Sequence, residues 1–196
     1  MRKFKLVGLT GRTGSGKGIA REVFEEFGYK AIDADLLARE ALENKIVMIN
    51  ILSAFGADLL ENDSINRKEL AKRAFKDDKS TKTLNSITHP CITALFVEKL
   101  RELSENGADK ILFDAPQLFE ARLDVLCDST VALVCDDKFR IERIIKRDNI
   151  SEEMAKSRLK IQLSDKFFTE NCDYCIENNS SLKELRNELR GIIPRI

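Results

Sequence analysis

"GLTGRTGSGKG", residues 8 to 18, sets glycines at 11, 14 and 16 and a lysine at 17 directly behind the apolar run "FKLVGL" of residues 4 to 9. The spacing Gly11-x-x-x-x-Gly16-Lys17 is that of a phosphate-binding loop between a strand and a helix. Glycines let backbone N–H groups approach phosphate oxygens, the start of the next helix favours an anion, and the lysine adds a point charge. The helix this requires is present in the pattern: Ile19, Val23, Phe24 and Phe27 recur at helical spacing before Gly28 stops them. One position breaks the rule. A serine or threonine hydroxyl usually follows the lysine to hold magnesium, and here Gly18 and Ile19 follow instead.

Outward from the loop, short apolar runs alternate with longer helical stretches, which is the signature of an α/β fold. "YKAI" is a second strand, and "KILFD" (110 to 114), "TVALVC" (130 to 135) and "DYCIE" (173 to 177) supply three more. Five parallel strands in a three-layer α/β/α arrangement are expected. From about 34 to 106 the pattern is almost wholly helical, and in "ITALFVEKLREL" Ile92, Leu95, Phe96, Lys99, Leu100 and Leu103 trace one face. That stretch reads as a helical insertion. A charged helical hairpin over 137 to 170 turns at "DNIS", with Ser151 as a cap, and Leu182, Leu185, Leu189 and Ile192 mark a closing amphipathic helix. The expected organisation is a core of 1–35, 107–136 and 171–196, a helical domain over 36–106 and a lid over 137–170.

A chain of 196 residues is long enough for one well-buried core but not for two large domains. Lysine plus arginine and aspartate plus glutamate both number 33, so no global field draws the chain to nucleic acid or to an anionic membrane. The start, "MRKFKLVGLTGR", fits neither a signal peptide nor a membrane span, and a cytoplasmic monomer is the expectation. Cys91, Cys127, Cys135, Cys172 and Cys175 are odd in number and irregular in spacing, which argues for reduced thiols rather than a disulfide framework. Cys172 and Cys175 read as two thiols along a partly buried strand, with no second pair to make a zinc or redox site.

"IDAD" (32 to 35) puts Asp33 and Asp35 at the carboxyl edge of the sheet, where ligands of open α/β sheets bind. A carboxylate there can orient or deprotonate an acceptor hydroxyl for attack on a γ-phosphate; it can equally cap the next helix. Asp114, which ends the third strand, is suited to water or magnesium coordination at the same edge. Arg140, Arg143 and Arg147 fall on one face of the lid helix with Ile141, Ile144 and Ile145 opposite, and Arg158, Gln162 and Lys166 repeat the spacing on the returning arm. Such arms can close cations over transferring phosphates, or form a solvated hairpin of salt bridges. The single histidine, His89, precedes Pro90, which predicts a helix-start corner and a structural role.

Taken in order, "GLTGRTGSGKG", "IDADLLARE", "INRKELAKRAF", "ITHPCI", "LFDAPQLFE", "RIIKRD", "RLKIQ" and "CDYCIENN" resemble the dephospho-coenzyme A kinases over about residues 6 to 190. The resemblance implies a P-loop kinase with a helical acceptor domain and a lid, transferring the γ-phosphate of ATP, with Mg2+, to the ribose 3′-hydroxyl of dephospho-CoA. It implies that Gly14, Ser15, Gly16, Lys17, Gly18 and Ile19 contact ATP phosphates, that Asp33 is the general base, and that Arg143 is a lid contact to ATP. By the same resemblance Arg67, His89, Asp114, Leu118, Phe119 and Glu120 belong to the acceptor pocket, and Asn178 to the adenine side. The chain departs from the family pattern at Gly18-Ile19, usually Ser-Thr, at Gln117, usually leucine, and at Arg140, usually glutamine. Adenylate kinases also carry G-K-G, there with a threonine next, so a water near Gly18, Asp33 or Asp114 can stand in for the missing hydroxyl. A related small-molecule or nucleoside monophosphate kinase, and a catalytically weakened nucleotide-binding relative, are the alternatives.

Overall fold

The computed structural model describes residues 3–160 and 162–196. Two units emerge, one formed by the chain up to Ile32 together with Leu103–Ile196, the other by Asp33–Glu102. In the first, β1 (Lys5–Thr10) is buried at every position after Lys5, and α1 (Lys17–Glu26) leaves it through the glycine loop. β2 (Lys30–Asp33), β5 (Lys110–Asp114), β6 (Ser129–Val134) and β7 (Tyr174–Glu177) complete the expected parallel sheet, in the order β2-β5-β1-β6-β7. The loop-bearing strand is therefore central, with Leu9 paired to Asp114 on one side and to Val131 on the other.

Alternation along β1 explains the packing. Val7 and Leu9 join Val23 and Phe24 of α1 and Leu185 and Leu189 of α9 (Leu182–Ile192) in one buried cluster, while Gly8 faces the other way, against Leu118. α9 is set by a capping box in which Ser181 and Glu184 satisfy each other's backbone N–H groups.

The hairpin expected over 137 to 170 is three helices. α6 (Asp137–Asp148) ends at Asn149 in the left-handed conformation, α7 (Glu152–Lys160) follows, and α8 (Asp165–Asn171) starts at a Ser164 cap. Ser151 accepts from the Met154 N–H at 3.3 Å, as a cap of α7 should. Ile144, Ala155 and Leu159 form the small core between α6 and α7.

The second unit holds α2 (Ala34–Ala41), α3 (Lys45–Phe55), α4 (Arg67–Ala74) and α5 (Asp78–Glu105) around Val47, Ile51, Leu59, Ile65 and Leu70. Two expectations fail here. The stretch is not wholly helical, because β3 (Leu60–Glu61) and β4 (Ser64–Ile65) pair antiparallel across Asn62 and Asp63, both at positive φ. Asn and Asp tolerate that conformation, and the "ENDS" tetrapeptide carries the signal. Nor does Pro90 start a helix: α5 runs through it. A proline inside a helix removes one backbone bond at a cost of about 3 kcal/mol. Residues buried on both sides of it, Thr88, Phe96 and Leu100, tie the two halves into one rod, and Thr88 Oγ1 donates to the Leu84 carbonyl at 3.0 Å. No helix among the described residues is long and apolar enough to cross a membrane.

Candidate active site

The loop is held open by its own backbone and by two outside clamps. Gly16 caps α1 at φ 104°, and a side chain there would run into the Asn178 amide. That amide donates to the Ser15 carbonyl at 2.8 Å, while the Asn178 N–H bonds the Val134 carbonyl at 2.8 Å, so one residue rivets the loop to β6. Gly11, at φ 132°, passes so close to the Leu133 carbonyl that any Cβ would collide with it. α1 has neither a side-chain cap nor an acidic residue in its first turn. Its positive end is left for an anion.

Lys17 folds back to donate from Nζ to the Gly11 carbonyl at 3.3 Å, so its charge sits over the loop. Ser15 is fully buried, and half-buried Ile19 packs on the main core and can give a ligand only its backbone. Gly18 is exposed, and a Cβ on it would meet nothing within 4 Å.

Arg143 donates to the Gly14 carbonyl at 3.3 Å and to the Asn178 carbonyl at 3.1 Å, so it grips both the loop and its rivet. The expected basic stripe of α6 does face the loop, but its members differ. Arg147 reaches Thr13 Oγ1 at 3.4 Å and pairs with Asp148, whereas Arg140 is fully buried. Its guanidinium makes a two-oxygen contact with Asp165 at 2.8 Å and bonds Asp137. Hydrogen bonds from Arg147 and then Arg158 hold the Asp148 carboxyl down at about 2, tying α6 to α7 through an ionised group.

Arg12 completes this arrangement, and no sequence pattern pointed to it. Its side chain, 13% exposed, donates to the Leu159 carbonyl at 2.8 Å and lies 3.3 Å from Asp137 and 3.7 Å from Asp165. The last turn of α7 thus receives a cation where the helix dipole is negative. Two guanidiniums and two carboxylates lock α6, α7 and α8 to the loop. Arg140→Met should lower the unfolding free energy by about 2–3 kcal/mol in urea denaturation, below the figure for breaking a wholly buried pair because both acids keep solvent contact. A loss under about 1 kcal/mol would mean that the cluster is solvated.

The remaining expected site residues lie as follows. Asp33 closes β2 and caps α2, its Oδ1 accepting from the Asp35 N–H at 2.9 Å and the Leu36 N–H at 3.3 Å. Both readings of this residue are therefore compatible, since the cap fixes the direction of a carboxylate. Asp114 ends β5 opposite Leu9. Arg67, exposed, is the first residue of α4, and His89 lies mid-way along α5. Leu118 is a core side chain with no exposure; Phe119 packs edge-on to Phe167 at 5.2 Å, and Glu120 faces solvent. Burial pushes the Cys135 and Cys175 thiols up and that of Cys172 up to about 12, which keeps all three protonated and weakly reactive.

A sequence model of the dephospho-CoA kinase family matches residues 5–184, almost the whole chain. The chain belongs to the dephospho-CoA kinase family. A dephospho-CoA kinase of Fusobacterium nucleatum is 38% identical over 182 residues, 92% of each chain. Among solved structures, the dephospho-CoA kinase of Campylobacter jejuni superposes with a TM-score of 0.70 at 27% identity, covering 97% of this chain and 96% of that one. A protein of Thermus thermophilus reaches 0.82 at 26% identity over 98% of both. The glycine loop, Lys17 and Arg143 all lie in one structural unit, with both cations bonded to loop carbonyls.

Proposed function

We propose that the chain transfers the γ-phosphoryl group of ATP to the 3′-hydroxyl of dephospho-CoA, giving CoA and ADP. The observation that carries this reading is the loop: an uncapped helix start, three glycines at positive φ and Lys17 turned back over them, in a chain of this family. Gly14 to Ile19 contribute backbone N–H groups to the donor phosphates. Lys17 and Arg143 offset the charge that develops on the transferring group, which is most of what catalysis of phosphoryl transfer demands. Asp33 takes the proton of the attacking 3′-hydroxyl. The new O–P bond then forms as the bond from the γ-phosphorus to the bridging oxygen breaks, and ADP leaves with that electron pair.

The unit over Asp33–Glu102 serves the acceptor, with Arg67 and His89 as its contacts. The protein works as a cytoplasmic monomer. Phosphorus NMR of the product tests the regiochemistry: a new 3′-monoester resonance is expected, and phosphorylation at any other position would contradict it.

Magnesium fits the donor set on modest terms. Among the described residues no three His, Cys, Asp or Glu side chains gather into a metal site, and Gly18 has no hydroxyl. A magnesium ion bound through substrate phosphates needs only one or two carboxylates and keeps its waters. Asp114 and Asp33 would hold those waters, and the ion would neutralise phosphate charge. The space around Gly18 admits a hydroxymethyl group. Gly18→Ser should therefore lower the magnesium concentration for half-maximal activity roughly tenfold, the worth of about 1.5 kcal/mol of charge-assisted contact. An unchanged requirement would show that waters already suffice.

A further inference from the structure

Of the three evenly spaced residues on the returning arm, the two cations pair with acids of the lid helices. Arg158 pairs with Asp148 at 2.5 Å and Lys166 with Glu170 at 3.7 Å. The neutral member goes to the loop: Gln162 Oε1 accepts from the Thr13 backbone N–H at 3.1 Å. An amide nitrogen cannot accept from an N–H, so this contact fixes the carboxamide with its oxygen on the loop and its NH2 available as a donor. Thr13 directly precedes Gly14, where the anion cradle begins, and Arg147 and Arg143 converge on the same two residues.

We infer that Gln162 is a further contact for the transferring phosphoryl group in the reaction proposed above, anchored through its oxygen to Thr13 and donating from its NH2 to a γ-phosphate oxygen. ADP, which lacks the γ-phosphate, occupies the cradle without reaching this donor. The inference therefore makes Gln162 a discriminator between ATP and ADP, which a residue that only docks the lid would not be.

The test is a pair of binding titrations, a non-hydrolysable ATP analogue and ADP, on the full chain and two variants. Gln162→Glu keeps an oxygen for the Thr13 N–H but replaces the donor with a negative charge; Gln162→Met removes the donor without adding charge. Dividing the analogue's affinity by that of ADP cancels any damage to the cradle itself. The expected result is a fall in that ratio of about tenfold or more for Gln162→Glu and severalfold for Gln162→Met, with kcat reduced more than the KM for the acceptor is raised. A wild-type ratio in Gln162→Met would overturn the inference and leave Gln162 as a lid latch. Because the ratio is read without any acceptor, it stands apart from whether dephospho-CoA is the substrate.

Discussion

Asp33→Asn should lower kcat by about a hundred- to ten-thousand-fold while leaving ATP affinity near that of the unaltered chain. The substitution is nearly isosteric, and the asparagine oxygen can still accept from the Asp35 and Leu36 N–H groups, so the cap of α2 survives. What is lost is the capacity to take a proton. A helix-cap role alone would predict a stability change of well under about 1 kcal/mol and full turnover. Thermal melting alongside single-turnover kinetics separates the two roles. Intact kcat in a well-folded Asp33→Asn would remove Asp33 from the chemistry.

Lys17→Ala should cost about a hundred- to a thousandfold in kcat, the usual consequence of deleting one preorganised donor at a site of developing charge. The ammonium bonds the Gly11 carbonyl at 3.3 Å, so it is held over the loop before any nucleotide arrives. A half-exposed lysine at the start of α1 contributes little to the core, and the melting temperature should stay within a few degrees. The loss should fall on kcat more than on ADP binding, because the backbone N–H groups that grip the β-phosphate remain. Equal losses in ATP and ADP affinity with kcat unchanged would place Lys17 in ground-state binding only.

Much of this site is readable in the sequence because it is local. The loop, the strand before it and the helix after it are consecutive, and Asp33 and Asp114 are placed by where their strands end. The five strands stand out as short apolar runs because a parallel sheet buries both faces. The clamps were not legible. Arg12 and Asp165 lie far apart in the chain, and charge patterning along one helix cannot reveal a pairing between elements. Arg140 looked like a surface cation for the same reason, whereas its burial depends on two acids supplied by the starts of α6 and α8. Pro90 misled through propensity: packing along α5 outweighs one lost backbone bond. The β3/β4 hairpin was hidden by its length of two residues per strand.

The role of Gly18 is now narrower than the bare pattern suggested. The shape of the loop does not depend on a side chain there, since it is set by Gly11, Gly16, Asn178 and Arg143. In the proposed reaction, what the missing hydroxyl bears on is the metal.

The most direct measurement is ADP formation by the purified chain with ATP and magnesium over a panel of acceptors: dephospho-CoA, AMP, CMP, shikimate and gluconate. ADP release that requires dephospho-CoA, and is not matched by any other acceptor, is the predicted result. Turnover indifferent to dephospho-CoA, or faster with another acceptor, would contradict the account.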